Sequence, residues 1–170
     1  MADRIVKNVI SVEELRKDLR YDPETGDLIR LVTRDCVKAG DLAGCRDDRG
    51  YRIVAIKGRT YWAHRVAWAL HYGAWPTHQI DHRDLDKGNN RIANLREATP
   101  SQNHGNMAIY KSNTSGRKGV TWCKQRKKWH ARIRVRGLRI NLGHHDDLEA
   151  AHAAYCAAAA AAFNDFARTA

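Results

Sequence analysis

The sequence predicts an α+β protein built from two small modules. Three observations carry this. A strand–loop–strand–helix pattern occupies the middle of the chain, three alternating strands followed by one helix occupy its last third, and the excess of positive charge is concentrated between Lys111 and Asn141. The 170 residues suffice for one ordinary domain or two small ones with thin cores. We place the first module at residues 1–110, a linker at 111–116 and the second module at 117–170.

Ser11-Val12-Glu13-Glu14 has the form of a capping box and opens a short helix through Leu19. Asp22-Pro23-Glu24-Thr25-Gly26 is a turn, and Leu28 to Val32 a strand. A polar loop with Gly40, Gly44 and Gly50 follows. Tyr51 to Ile56 and Arg59 to Trp62 form a β-hairpin about Lys57-Gly58. Val66, Ala67 and Leu70 recur at helical spacing from Ala63 to Tyr72, and Gly73 ends that helix. After the break at Trp75-Pro76, Gln79 to His82 is extended, Arg83 to Asn90 is a polar loop, and Arg91 to Glu97 is extended again. Thr99 as N-cap, Pro100 at the first position and Gln102 then start a helix that carries Asn103.

Lys111 to Gly116 is polar and linker-like. Beyond it, Val120 and Trp122 begin a strand. Trp129, Ala131, Ile133 and Val135 share one face of the next strand; His130, Arg132, Arg134 and Arg136 share the other. Leu138, Ile140 and Leu142 repeat the apolar face, opposite Arg139 and Asn141. Asp146 and Glu149 cap a last helix whose inward stripe is Leu148, Ala151, Tyr155, Ala158, Ala159, Ala162 and Phe166. The expectation is a three-stranded antiparallel sheet, packed on one helix and presenting a basic face. Trp129 belongs to the core by parity; Trp122 is either core or a stacking platform.

The net charge is +11, and the eleven Lys and Arg side chains from Lys111 to Asn141, with no Asp or Glu among them, account for it. A segregated patch of this kind suits a polyanion, most simply nucleic acid. The four cysteines form no C-x-x-C pair, which argues against a zinc ribbon and fits reduced thiols in a cytoplasmic protein. The charged MADRIVKNVI start has no long apolar stretch, and the alanine run from Ala157 to Ala162 is too short to span a bilayer. No membrane partner is expected.

Asp81-His82, Asn94 and Asn103 carry the chemistry. A phosphodiester repels nucleophiles by its own charge. A hard cation held by Asp81 and the amide oxygen of Asn103 would offset that charge. His82 is a candidate general base near neutral pH, and Asn94 a candidate partner that orients it. Asn90 reads as a turn residue. His64 is either a structural helix-start histidine or a residue near the phosphate. His78 and His82 are spaced like a helical metal pair, but Pro76 and the extended context argue against a zinc site.

The stretch from Tyr61 to Asn106, with YWAHRVAWALHYG, QIDH and NNRIANLREATPSQN, resembles the phage HNH endonucleases of the ββα-metal fold. YDPETGDLIRL and the hairpin ahead of His64 resemble that family's helix-and-hairpin lead-in. The resemblance implies a DNA endonuclease with Asp81 and Asn103 as ligands of Mg²⁺ (or Mn²⁺), His82 activating water and Asn94 positioning His82. Many members close the motif with His; this chain has Asn103, as a phage subgroup does. Residues Gly116 to Phe166, with KGVTW, KKWHARIRV, INLG and LEAAHAAYCAAA, resemble ethylene-response-factor-type DNA-binding domains. That resemblance implies major-groove contacts from Lys118, Thr121, Arg132, Arg134, Arg139 and Asn141; Arg136 lies with them on the basic face. The expected partner is double-stranded DNA, met by a monomer or weak dimer in the cytoplasm, the host's if the gene is a phage's. A single site acting alone would nick one strand; a dimer, or two successive events, would break both. Two other classes fit the charge: a DNA-binding regulator whose HNH segment is a non-catalytic scaffold, and a DNA-packaging component.

Overall fold

The computed structural model describes residues 10–34 and 36–169. The charged start read at residues 1–9 lies outside them. The chain divides into two compact units, residues 1–97 and 98–170.

In the first unit, helix α1 (Val12–Asp18) begins at Ser11, whose hydroxyl accepts the Glu14 N–H at 3.2 Å. It ends one residue earlier than expected, because Leu19 turns extended and starts a strand, β1 (Leu19–Tyr21). That strand pairs antiparallel with β2 (Leu28–Arg30) across the Asp22–Gly26 turn. A two-residue strand, β3 (Cys45–Arg46), lies within the expected loop and joins the edge of the hairpin formed by β4 (Arg52–Ile56) and β5 (Arg59–Trp62). Lys57 and Gly58 turn that hairpin with φ of 47° and 75°, the left-handed pair that matches strand twist. Helix α2 (Ala63–Tyr72) closes on Gly73, at φ 75°. Leu15, Leu19, Leu28, Val54, Ile56, Tyr61 and Val66 are almost wholly buried and form the main core. Each such large side chain contributes about 1.5–3 kcal/mol by leaving water.

Strands β6 (Gln79–His82) and β7 (Leu95–Ala98) form a separate two-stranded sheet. Ile80 and Leu95 seal it onto Ala67 of α2. A 3₁₀ turn at Ile92–Asn94 shortens the second strand relative to the extended reading of residues 91–97.

The second unit opens with α3 (Pro100–Asn106). Its N-terminus carries the expected capping box, Thr99 with Gln102, and Pro100 at the start. The structure draws α3 into this unit, ahead of the expected 111–116 linker. Lys118 Nζ donates to the carbonyls of Gly105 and Met107 at 2.7 and 2.6 Å, the Arg136 N–H donates to Ser101 Oγ, and Gly105 lies against the Phe163 ring. The 111–116 segment is itself knotted by hydrogen bonds from Asn113 and Ser115. Strands β8 (Val120–Cys123), β9 (Lys128–Val135) and β10 (Leu138–His145) form an antiparallel sheet in the order β10-β9-β8. Helix α4 (Leu148–Phe163) packs on its apolar face through Ala151, Tyr155, Ala159 and Phe163. Its N-cap is Asp147, accepting from the Ala150 N–H, rather than the expected Asp146. Asn164 leaves the helix at φ 48°, so Phe163 fills the core and Phe166 is only half-buried. Among the described residues no helix is long and apolar enough to cross a membrane.

Candidate active site

Strand β6 carries Asp81 and His82, both 5% exposed. Arg65 of α2 sets the start of that strand by donating to the carbonyls of Pro76 (3.0 Å) and His78 (2.9 Å). The backbone of β6 is therefore held from the helix side before its polar side chains are considered.

Asp81 faces Arg96 of β7. The guanidinium meets Asp81 Oδ2 through Nη2 at 2.8 Å and Nε at 2.9 Å, and both side chains are at least nine-tenths buried. A buried carboxylate needs such a partner, because an unpaired charge out of water is costly. Arg96 is the arginine of the N-L-R context, and its partner is visible only in the fold.

His82 Nε2 lies 3.1 Å from Asn90 Oδ1. An amide oxygen only accepts, so in this contact Nε2 is the donor. The residue expected to orient His82 was Asn94. The structure gives that contact to Asn90, which is 2% exposed and was read as a mere turn residue. Asn94 acts on the backbone instead. Its Oδ1 accepts the Asp84 N–H at 3.0 Å, its Nδ2 donates to Asp84 Oδ1 and the Asn89 carbonyl, and its carbonyl accepts the Arg83 N–H. Asn94 thus fixes the two residues that follow His82.

Asn90 is held from the lead-in. The Tyr21 hydroxyl donates to the Asn90 carbonyl at 2.7 Å. Gly26, at φ 81°, brings the turn so close that a Cβ there would meet the Arg91 nitrogen and Asn90 carbonyl carbon at 2.5 and 2.6 Å. Rings complete the surroundings of His82. His64 meets it edge-on with centroids 5.2 Å apart, and Tyr51 sits at 6.1 Å. His64 is 7% exposed and its Nδ1 has no hydrogen-bond partner. Burial lowers its pKa to about 3, with the neighbouring His82 and Arg65 pushing the same way.

Asn103 sits on α3, in the second unit. Among the described residues no three His, Cys, Asp or Glu side chains gather as a metal cage. The donor types do suit a hard cation: Mg²⁺ binds one or two protein oxygens beside water and phosphate oxygens, and needs no such cage.

On the second unit, cross-strand register sets Thr121 opposite His130, Arg132 opposite Asn141 and Arg134 opposite Arg139. The three arginines are exposed on the face away from α4. Arg136 sits at the β9–β10 turn with φ 49°. Asn141 Oδ1 is engaged by His130 Nε2 and the Gly143 N–H at 3.0 and 2.9 Å. Lys118, an expected DNA contact, has its ammonium already engaged with backbone carbonyls. Its ammonium caps the end of α3, as described above, and burial lowers its pKa to about 8. Trp122 is 44% exposed, while Trp129 packs beside the Val120–Ala131–Ala151 cluster.

Residues 61–104 match the family model described as HNH endonuclease. Protein 3.8 of Escherichia phage T7 is 39% identical over 87 residues, which are 51% of this chain and 72% of that protein. A solved structure described as DNA binding and cleavage by the HNH homing endonuclease I-HmuI overlaps 78% of this chain and 75% of its own, at 20% identity and a TM-score of 0.41. That last superposition is too loose to argue from. The first two findings suffice: the chain belongs to the family of T7 Protein 3.8 and carries an HNH endonuclease domain across residues 61–104.

Proposed function

We propose that this protein is a divalent-metal-dependent DNA endonuclease in which His82 is the general base. The observation that carries the reading is the buried Asp81-His82 pair, held by Arg96, by Asn90 and, through the backbone, by Asn94. His82 takes the proton of the attacking water, and Asn90 holds its ring through Nε2. Asp81 would supply a ligand oxygen to Mg²⁺ or Mn²⁺, and the match to the family model runs through this position. The ion, when bound, supplies charge to a phosphate oxygen and to the leaving 3′ oxygen.

The second unit is the DNA-holding module of this reading. Arg134 and Arg139 face each other across the sheet, and like charges so placed repel unless an anion lies over them. A DNA backbone or guanine edge supplies that relief. Thr121, Arg132, Arg134, Arg136, Arg139 and Asn141 are the proposed contacts, with Asn141 offering its Nδ2 while its Oδ1 is engaged. In this reading the protein acts as a monomer or weak dimer that nicks duplex DNA.

Supercoiled plasmid tests the reading. With Mg²⁺ or Mn²⁺ the parent protein relaxes it by nicking, and EDTA stops the reaction. His82→Ala retains binding and loses at least about 100-fold in rate, the usual contribution of a positioned base. If His82→Ala cuts as fast as the parent, the mechanism is wrong. If the parent binds plasmid and never cuts it with either metal, the non-catalytic regulator is the better description.

A further inference from the structure

We infer that Arg46, laid on Gly88, and Lys87, laid over Tyr51, form a phosphate-binding cradle for the DNA strand beside His82. The inference rests on the nuclease reading and adds to it a substrate-binding site within the first unit.

The cradle is built from strand β3 with the turn after it and from the loop that follows His82. Lys87 Nζ stands 4.7 Å from the centre of the Tyr51 ring and donates to the Arg49 carbonyl at 3.1 Å. The same Tyr51 ring has its centre 6.1 Å from that of His82. The Tyr51 ring thus neighbours both the ammonium and the proposed base. A cation over an aromatic face is held without losing its charge, and remains available to an anion.

Gly88 is the next residue. It is buried, and what lies on it is the Arg46 side chain. A Cβ at position 88 would collide with Arg46 Nη2 and lie only 2.8 Å from Cζ. Glycine at this position is what allows the guanidinium to lie flat on the loop. Neither Arg46 nor Lys87 has a carboxylate partner among the described residues. Three acidic residues of the same segments, Asp47, Asp84 and Asp86, are engaged with neighbouring loop groups, while Asp48 is exposed. Asp47 Oδ1 accepts the N–H groups of Arg49 and Tyr51, and Asp86 Oδ1 accepts the Gly88 N–H. Asp84 is occupied by Asn89, Asn94 and the Asp86 N–H. These three carboxylates hold the loops by hydrogen bonds, and both cations are exposed. A guanidinium fork with an ammonium beside it suits the oxygens of a phosphodiester.

Salt dependence of binding tests this independently of cleavage. A fluorescein-labelled DNA duplex is titrated with full-length protein in EDTA at rising KCl. Each phosphate contact contributes about 0.9 to the slope of log affinity against log salt. Arg46→Ala and Lys87→Ala are each expected to lower the slope magnitude by about that amount. Gly88→Ala, which keeps every charge but lifts the guanidinium off the loop, is expected to lower it as Arg46→Ala does. Unchanged slopes in Arg46→Ala and Lys87→Ala would overturn the cradle. A reduced slope in Arg46→Ala with none in Gly88→Ala would overturn it as a built site and leave only diffuse attraction. No cleavage enters these slopes, so a parent that never cuts plasmid refutes the nuclease reading separately.

Discussion

Removal of Arg96 is the sharpest perturbation that the site offers. The guanidinium meets Asp81 Oδ2 at 2.8 and 2.9 Å where both side chains are at least nine-tenths buried. Replacing it by methionine keeps much of the volume and deletes the charge. Asp81 is then a carboxylate in a nearly dry place with its cation gone. Breaking a buried pair from one side costs about 3–5 kcal/mol, against about 0–1 kcal/mol for an exposed pair. For a unit of 97 residues this is a fall in Tm on the order of 20 °C. Urea unfolding at neutral pH, followed by tryptophan fluorescence, reads the loss. The decisive arm is the double variant Arg96→Met/Asp81→Asn. With the charge gone from both sides, at least half of the lost stability should return, giving a coupling energy of about 2 kcal/mol or more. A single variant within about 1 kcal/mol of the parent, or strictly additive variants, would refute the claim that this pair secures β6 to β7.

Two further outcomes follow from the packing. His64 stays neutral in the fold down to about pH 3 but protonates near 6.5 when unfolded. Its contribution is thus fully present above pH 6.5 and is lost as pH falls towards 3, by up to about 1.4 kcal/mol per unit. His64→Phe should flatten this acid-side slope in urea midpoints taken from pH 7 to 4 (roughly the range in which unfolded His titrates); parallel slopes in variant and parent would sink the argument. Gly119 sits at φ 74°, and a Cβ there would run into the Tyr155 ring and approach the Arg132 carbonyl oxygen to 2.8 Å. Gly119→Ala should therefore destabilise the second unit by about 2–4 kcal/mol, seen as early loss of the near-ultraviolet circular dichroism of Trp122 and Trp129; an unshifted transition contradicts the close packing of α4 on the sheet.

The features legible in the sequence are those decided within a few residues of chain. The capping box at Thr99, the Lys57-Gly58 turn and the alternation through Arg132 and Arg134 depend on local backbone chemistry, and each is present as read. The strand at Leu19 was hidden because its residues continue the helical pattern, and only pairing with Leu28–Arg30 pulls them extended. In the site, Asp81, His82 and Asn94 could be picked out by type and spacing. Their partners could not. Asn90 looks like any loop asparagine until Tyr21 and Gly26 are folded against it. Lys118 looks like every other cation in a basic stretch; only the end of α3 reveals that its charge is already engaged. The edge of the second unit moved to residue 98 for the same reason, since helix packing rather than polar composition draws it.

The hydrogen bond from Tyr21 to the Asn90 carbonyl spans 69 positions of sequence. Its consequence concerns modularity. The stretch that matches the family model begins at residue 61, yet the loop that orients its histidine is braced by Tyr21 and Gly26, well upstream. Residues 61–104 transplanted alone into another protein would bring the reactive groups without their brace. The matched segment is in this sense not a portable cassette, because the loop beside its histidine is set by residues well upstream of it.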